Sequence, residues 1–277
     1  MGLINISPTT RRDQVPGQNA GYLFPAVCLV AVGVFIALPG AVDEKTQQAL
    51  HGLCAQRPSH SYWLGDARLP FDARMTGIYG GSVISLVVLA LRGRLYAIAR
   101  PGWLEIGLLA AFVGAMAVDG MNSLLLDMGT WHPYEPRNEI RLITGSLTGV
   151  SLAVTLCFLI SATFWRTGRR ELAIVASLRE VAMLVALTVP FGILIVFGPG
   201  WLYAPVALFL LGSAVLIVGV LAMVMTTIAT RRDGSYRRVQ ELGVPAAVAV
   251  VLAVVAMAAI AGGRFWLENT FGVPPLQ

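Results

Sequence analysis

Residues 74–81 read RMTGIYGG and open an apolar run that covers residues 76–92. Residues 141–149 read RLITGSLTG and open a second apolar run over residues 144–165. Runs of this length predict helices that cross a bilayer whose hydrocarbon core is about 30 Å thick. Each run begins with an arginine, a Thr-Gly pair and a further glycine, so the two helices are expected to enter the membrane with similar chemistry.

The composition agrees with a membrane protein. The chain has 277 residues, of which 56% are apolar and only 13% are charged, and its mean hydropathy is +0.73. These values exclude a soluble domain of this size. Because lipid offers no partner to an open backbone, runs of this kind predict helices. The sequence therefore predicts an all-α, polytopic integral membrane protein with about seven spans: 22–42, 76–92, 103–126, 144–165, 180–198, 204–229 and 243–262.

The basic residues predict the orientation. With a cytoplasmic N-terminus, 13 of the 20 Lys and Arg residues fall in cytoplasmic segments and seven fall outside. The positive-inside rule therefore favours N-in and C-out, in a bacterial cytoplasmic membrane. The net charge of +5 follows from this distribution and requires no nucleic-acid partner.

Three units are expected along the chain. Residues 1–21 form a cytoplasmic tail, residues 22–165 a four-helix membrane unit, and residues 166–277 a three-helix unit with basic cytoplasmic loops. The first unit has two extracytoplasmic loops, 43–74 and 127–143, which are long enough to be ordered. Arg11 and Arg12 before the first run and small residues after it resemble a signal peptide, but we expect the run to be retained as a span.

Local patterns add detail to the loops. Residues 43–54, DEKTQQALHGLC, predict a short helix with acids in its first turn. Residues 61–71, SYWLGDARLPF, predict a turn centred on Gly65-Asp66. Residues 169–179, RRELAIVASLR, space apolar residues at helical intervals and predict a helix, either on the membrane surface or as an extension of the neighbouring span.

Asp119 is the most informative single residue, because an ionisable group among apolar neighbours is costly unless it is paired or wetted. Asn122 follows three residues later on the same helical face. The simplest partner of Asp119 is Arg74 or Arg141 at a neighbouring helix mouth. Two interpretations remain open: a structural salt bridge, or a group that binds a proton, a cation or a ligand.

The two helix mouths offer a second candidate feature. Arg74 with Thr76, and Arg141 with Thr144, stand beside free backbone amides and could hold a phosphate head group or a quinone carbonyl. The alternative is that the arginines extend to the interface and the threonines cap helices. Duplication of the helix, loop, Arg and Thr-Gly order across 22–92 and 103–165 would place the two mouths side by side, although matches this short also arise by chance.

Four glycines form two GxxxG spacings, which permit close helix contact. They are Gly77, Gly81, Gly145 and Gly149. We expect them to pack two helices together and so bring the two arginines near each other.

A metal site is not expected. His51, His60 and Cys54 are candidate ligands in one loop, with His132 in another and Asp72 or Met75 as further donors. They lack the C-x-x-C and H-x-x-x-H spacings of metal sites. The sequence also lacks a phosphate loop, a dinucleotide fingerprint and hydrolase motifs, and it therefore does not favour an enzyme.

The chain resembles a family of bacterial membrane proteins, the domain of unknown function 2085 family. Residues 52–81, GLCAQRPSHSYWLGDARLPFDARMTGIYGG, residues 119–125, DGMNSLL, and residues 134–145, YEPRNEIRLITG, carry the resemblance over about residues 50–150. Ala55, Asp72 and Met75 stand where relatives have a histidine and two cysteines, so a metal or redox role of those residues has no matching ligands here. The residues that the resemblance carries over are Cys54, Pro58, Leu69, Pro70, Arg74, Thr76, Gly77, Ile78, Tyr79, Asp119, Gly120, Asn138, Arg141, Leu142, Thr144 and Gly145.

Three functions are compatible with these features. The favoured hypothesis is a non-catalytic subunit or binding protein of a larger respiratory or photosynthetic assembly. Its partners would be membrane lipids and other subunits, and it would hold a lipid or quinone at its extracytoplasmic face. A small-solute or ion transporter using Asp119 and Arg141 is the alternative. An intramembrane enzyme, with Asp119 as base acting on a lipid or quinone head group, is the third. The cofactor, if there is one, is not determined by the sequence.

Overall fold

A computed structural model describes residues 20–272 of the chain. It shows an all-α, polytopic membrane protein whose helices are joined by short strands. The helices are α1 (Ala20–Ala37), α2 (Val42–Leu50), α3 (Ala73–Leu91), α4 (Trp103–Asp127), α5 (Asn138–Phe164), α6 (Leu178–Phe197), α7 (Tyr203–Ala229) and α8 (Gly243–Phe271). The strands are β1 (Ser61–Leu64), β2 (Ala67–Asp72), β3 (Ala97–Ala99) and β4 (Arg169–Ala173). Residues 1–19 of the predicted tail lie outside the described residues.

Six helices, α3 to α8, are each long and apolar enough to span a membrane. The first predicted span, 22–42, differs from the others. Helix α1 ends at Ala37, and the next helix, α2, leaves it at an angle of 119°. Pro39 and Gly40, whose φ is +103°, form the break. The first predicted span, which would bring the count from six to seven, is therefore a bent pair of helices. The N-in, C-out orientation stays a prediction.

Helices α3 and α5 form the centre of the molecule. In the apolar 18-residue stretch of each helix, 56% of the α3 residues and 67% of the α5 residues are buried, against 11% of the α4 residues. Helix α4 packs against α5 along one side and turns most of its apolar surface outward. Side chains placed between α3, α4 and the start of α5 are therefore shielded by the protein, while the outer side of α4 is open.

The first long loop carries two elements that position α3. Helix α2 has Asp43 and Glu44 in its first turn, and β1 and β2 form an antiparallel hairpin around Gly65-Asp66, as the sequence predicted. Gly65 adopts the left-handed region with φ of +62°. Asp72 ends the hairpin, and its carboxylate accepts a hydrogen bond from the Met75 backbone N–H at 2.8 Å. This N-cap fixes where α3 begins and hence where Arg74 lies.

The helix predicted for residues 169–179 is wrong. Residues 169–173 form β4, which pairs in parallel with β3, and α6 begins only at Leu178 behind its N-cap Ser177. The apolar spacing suited a helix, but the backbone of β3 offers unpaired groups that an extended segment can satisfy: the Ile174 N–H donates to the Ala99 carbonyl at 3.3 Å.

Candidate functional site

Asp119 lies at the centre of a buried polar cluster near the start of α3. Asp119 is only 1% exposed to solvent. Arg74 Nη2 donates to Oδ2 of Asp119 at 2.5 Å, and the Tyr134 hydroxyl donates to Oδ1 at 2.9 Å. Arg74 is one of the two partners expected for this carboxylate, and Tyr134 is a further one. The carboxylate is therefore engaged on both oxygens.

Arg141 lies beside this pair without joining it. Its Nη1 donates to Asn138 Oδ1 at 2.8 Å, and its Nη2 lies 3.2 Å from His60 Nε2. Among residues 20–272, no carboxylate lies within 4.0 Å of its guanidinium. Arg141 is nevertheless only 6% exposed. A buried guanidinium with neutral partners alone is an unusual and costly arrangement.

Ser123 links the two arginines. Its hydroxyl lies 3.5 Å from Nη2 of Arg74 and 3.5 Å from Nη2 of Arg141, and it donates to the Asp119 carbonyl at 3.0 Å. Both guanidinium groups thus converge on one small side chain. We call Arg74, Asp119, Ser123, Tyr134 and Arg141 the two-arginine cluster.

Asn122 fixes the loop that covers the cluster. Its Nδ2 donates to the Tyr134 carbonyl at 2.8 Å, and its Oδ1 accepts the Tyr134 N–H at 3.4 Å. Burial and the hydrogen bond to Asp119 raise the pKa of the Tyr134 hydroxyl above its ordinary value. Tyr134 therefore stays protonated and serves as a donor.

The four glycines lie where α3 and α5 touch. A Cβ at Gly81 would lie 2.8 Å from the Ser146 carbonyl oxygen, and one at Gly149 would lie 2.6 Å from the Ile78 carbonyl oxygen. Built Cβ atoms at Gly77 and Gly145 also meet backbone of the opposite helix. Because the backbones touch, the first turns of α3 and α5 carry Arg74 and Arg141 side by side.

The two threonines of the helix mouths point elsewhere. The Thr76 hydroxyl donates to the Phe71 carbonyl at 3.4 Å, and the Thr144 hydroxyl donates to the Ile140 carbonyl at 2.9 Å. Asn138, by contrast, joins the site, because it accepts from Arg141 and donates to the Ser59 carbonyl at 3.2 Å. The structure thus brings together Arg74, Asp119, Asn122, Asn138 and Arg141.

His60 shapes the charge of the site. Since an arginine can only donate, the ring nitrogen facing Arg141 accepts, and the imidazole is neutral in this arrangement. Burial and the nearby charges of Arg141 and Arg57 lower the pKa of His60 below its ordinary 6.5. Nearby carboxylates are used elsewhere: Asp72 caps α3, and Asp127 pairs with Arg57 at 2.5 Å.

Two donors in the cluster have no acceptor. The Nε atoms of Arg74 and Arg141 are buried and make no hydrogen bond within residues 20–272. The cluster therefore contains two guanidinium groups and one carboxylate, which pairs with Arg74 alone, so one positive charge is in excess and N–H groups are unsatisfied. An acceptor-rich anion is the chemical group that such a site lacks.

The metal-ligand candidates lie apart from one another. His51 stacks on Phe265 and bonds Glu268 at 2.8 Å, whereas Cys54 Sγ accepts the backbone N–H groups of Gln56 and Asp72 at 3.4 Å. Burial and the nearby Asp72 raise the pKa of the Cys54 thiol to about 12. Within residues 20–272, no group of three or more His, Cys, Asp or Glu side chains is arranged to hold a metal ion.

Comparison with known families identifies the segment that carries the cluster. Residues 54–155 match the family described as predicted membrane protein (DUF2085). The resemblance drawn from the motifs is thereby confirmed. The DUF2085 segment runs from Cys54 through most of α5 and contains every member of the two-arginine cluster. Neither the curated proteins nor the solved structures gave a match.

Sequence reasoning missed Ser123 and Tyr134, and it considered His60 only as a metal ligand. Ser123 stands four residues after Asp119 and therefore on the same helical face, which is a signal that could have found it. Tyr134 and His60 belong to two different loops, and nothing in the sequence indicates that these loops meet over the same helix mouths.

Proposed function

We propose that this membrane protein is a non-catalytic binding protein of a bacterial cytoplasmic membrane and a subunit of a larger respiratory or photosynthetic assembly. It holds the polar head group of a lipid, or of a quinone, at the two-arginine cluster. The observation that carries the proposal is Arg141, a buried arginine that lacks a carboxylate partner within the described residues.

The charge balance favours an anionic head group over a quinone carbonyl. A purely structural arginine at this depth would be expected to have a counter-ion, because an uncompensated charge costs several kcal/mol. A phosphate or carboxylate oxygen between the guanidinium groups would supply that charge and accept from their unsatisfied N–H groups. A quinone carbonyl would accept hydrogen bonds and leave the excess charge in place.

Access to the cluster exists along α4. The side chain of Arg74 is 24% exposed although its partner Asp119 is buried. Gly120 lies next to it, and a Cβ built there would be 3.7 Å from Arg74 Nη1, in ordinary contact. On the open side of α4, Val118, Met121 and Leu124 are at least half exposed. A head group at Arg74 could therefore place its apolar chain along α4.

The engagement of Asp119 supports binding over transport or catalysis. A carboxylate that carries a cation or a proton must be free in one state, yet both oxygens of Asp119 are bonded. The same hydrogen bonds occupy the oxygens that a general base would use to accept a proton from a substrate. Asp119 instead positions Arg74.

The subunit role is compatible with the exposed apolar surface of the molecule, which would face either lipid or a partner chain. Helix α4 exposes most of its span, and α8 exposes Val251, Val254 and Val255. Purification in a gentle detergent, followed by mass spectrometry of all co-purifying proteins, tests this half of the proposal. Partner chains at a fixed ratio would support it. A monodisperse, solitary chain would contradict it.

The binding half is tested by titrating ligands into the delipidated full chain and following its melting temperature. Salt of about 0.5 M screens exposed charges while leaving buried ones effective. Phosphatidylglycerol should raise the melting temperature of the wild type, and phosphatidylcholine should raise it less. The shift should disappear in Arg141→Gln.

Arg137→Gln is the matched control, because Arg137 is exposed and stands just before α5. It should retain the shift. An Arg141→Gln protein that responds as the wild type does would refute the site. A shift produced by a short-chain quinone instead of phosphatidylglycerol, and lost in Arg141→Gln, would keep the binding role and reassign the ligand.

A further inference from the structure

A second group of arginines lies far along the chain from the two-arginine cluster, where α5 and α7 end and α8 begins. These residues are exposed, and none of their side chains makes a hydrogen bond or ion pair with the described part of the chain. We call them the arginine patch: Arg166, Arg231, Arg232, Arg237 and Arg238.

Backbone hydrogen bonds hold the patch together. The Arg166 N–H donates to the Tyr236 carbonyl at 2.9 Å, and the Tyr236 N–H donates to the Phe164 carbonyl at 3.1 Å. The Gly234 N–H donates to the Thr163 carbonyl at 2.9 Å. The loop between α7 and α8 is thereby fastened to the end of α5. Arginines that are distant in sequence are fixed on one surface.

One member of the patch occupies a position that favours glycine. The Arg232 N–H bonds the Thr227 carbonyl at 3.0 Å and the Arg231 N–H bonds the Ile228 carbonyl at 2.9 Å, which is the Schellman arrangement at the end of α7. Arg231 is the left-handed residue of this motif, with φ of +54°. A side chain is strained in this conformation, and glycine would remove the strain. The arginine there is unfavourable for folding and needs another reason.

The charge of the patch is weakly compensated. Asp233 and Glu241 are the acids within the loop and the following turn, and Glu241 is occupied by the Arg237 backbone N–H at 2.8 Å. Five guanidinium groups therefore face solvent against two carboxylates. A surface of this kind attracts anions.

The patch also lies at an apolar boundary. Met225 and Ile228 in the last turns of α7 are 66% and 52% exposed, and Val239, directly after the patch, is 57% exposed. Exposed apolar residues next to unpaired arginines match the boundary between acyl chains and head groups. An acidic soluble protein would meet the arginines but not this apolar surface.

We propose that the arginine patch binds anionic phospholipid head groups of the leaflet that it faces. This inference is independent of the proposed function, since the patch is exposed and lies at the end of α5, whereas the two-arginine cluster lies at its start. The binding is electrostatic and shared among several head groups, so it weakens as the salt concentration rises.

The test uses the full chain carrying Arg141→Gln, so that the two-arginine cluster does not contribute, and measures its apparent affinity for phosphatidylglycerol by native mass spectrometry in a neutral detergent at low salt. Each arginine near an anionic surface contributes about fivefold in affinity, so the triple variant R232Q/R237Q/R238Q should bind on the order of 100-fold more weakly. The triple lysine variant at the same positions retains the charge and should bind within a few-fold of the wild type.

Two further variants separate the patch from folding and from the two-arginine cluster. Arg231→Gly should melt at a higher temperature, because the strain is removed, and yet bind phosphatidylglycerol about fivefold more weakly. Arg141→Gln should keep the low-salt, salt-sensitive binding of the patch. Unchanged affinity in the triple glutamine variant, or equal affinity for phosphatidylcholine, would overturn the proposal. If the partner of the patch is an acidic protein instead of lipid, the triple glutamine variant should bind phosphatidylglycerol with unchanged affinity.

Discussion

Each end of α3 carries a cluster of two arginines and one acid. Both arginines contact the acid at one end, whereas only one does so at the other. At the C-terminal end, Glu180 receives two arginines: Nη2 of Arg92 at 2.9 Å and Nη2 of Arg94 at 2.5 Å. Its other oxygen accepts the Ala176 N–H at 2.7 Å, and Arg94 also donates to the Ala173 carbonyl at 2.6 Å. Both guanidinium groups contact the acid directly.

At the N-terminal end, one acid again serves two arginines, but Arg141 does not reach it. Asp119 pairs with Arg74 and Tyr134. Arg141 is left with Asn138, His60 and a long contact to Ser123. Within residues 20–272, Nε atoms that are buried without a hydrogen-bond partner occur in the arginines of this end and not in those of the other.

The difference distinguishes a fully paired structural cluster from the cluster that we propose binds a ligand. The Glu180 cluster is complete, and it fastens the start of α6 to the end of α3 and to the β3–β4 sheet. The two-arginine cluster is buried more deeply and is incomplete, which is destabilising unless another group completes it. Natural proteins retain such features at binding sites.

Asp119→Asn should have the largest effect of the substitutions considered. It removes the carboxylate partner of the largely shielded Arg74, beside the already unpaired Arg141, and the free energy of unfolding should fall by about 3–5 kcal/mol. Chemical denaturation of the purified protein in detergent measures this. Tyr134→Phe is the control, because it removes one hydrogen bond and leaves the charges, for a loss of about 1 kcal/mol. Equal losses for the two variants would mean that Asp119 acts only as a hydrogen-bond acceptor.

Gly149→Ala should have the next largest effect on the free energy of unfolding. The new Cβ would meet the Ile78 carbonyl at 2.6 Å, so α3 and α5 must separate, at a cost of about 1–3 kcal/mol. The same separation moves Arg141 from Arg74 and should weaken ligand binding. Gly107→Ala and Gly114→Ala in α4 are matched controls, since nothing lies within 4 Å of either Cβ. They should melt at or above the wild-type temperature. A Gly149→Ala protein that melts at the wild-type temperature would contradict the close contact between α3 and α5.

Glu180→Gln sharpens the comparison between the clusters. It removes the same charge as Asp119→Asn, but the Arg92 side chain is 41% exposed and solvated by water, and the buried Arg94 keeps its hydrogen bond to the Ala173 carbonyl. We expect a loss of about 1–2 kcal/mol in the free energy of unfolding. Denaturation under the conditions used for Asp119→Asn gives a direct comparison. A loss as large as that of Asp119→Asn would show that the two clusters do not differ in burial as described.

His60→Gln should have the smallest effect at neutral pH and a visible one in acid. The pKa of His60 is lowered in the folded protein, so below about pH 6.5 the unfolded chain binds a proton that the folded chain refuses. Wild-type stability should therefore fall as the pH drops from about 6.5 towards the lowered pKa. His60→Gln keeps an acceptor for Arg141 and removes this titration. Parallel melting curves of the two proteins between about pH 7.5 and 5.5 would contradict the assignment.

Much of the fold follows from hydropathy, because lipid leaves helices as the form for apolar runs of this length. The exceptions have local causes. Pro39 and Gly40 break the first run before it crosses as one helix, and β4 replaces a predicted helix because β3 supplies backbone partners. Neither pairing across distant segments nor the sharpness of a bend is encoded in apolar spacing.

The candidate site was predictable in part. Asp119 stands out because a carboxylate within an apolar run needs a partner, and Arg74 at a helix mouth is a natural one. The complete Glu180 cluster was not foreseen, since charges in a basic loop are ordinarily solvated. The contact of Arg141 with His60 depends on how the first loop folds over α5, which sequence spacing does not determine.

The unfolding stability of Arg141→Gln, compared with Arg94→Gln in ligand-free detergent, tests the central claim most directly. Removing an uncompensated buried charge should leave the ligand-free protein as stable as the wild type, or up to about 1–4 kcal/mol more stable. Arg94→Gln removes a paired arginine of the complete cluster and should destabilise it. If Arg141→Gln loses as much stability as Arg94→Gln, Arg141 is already satisfied within the protein, and the site needs no ligand.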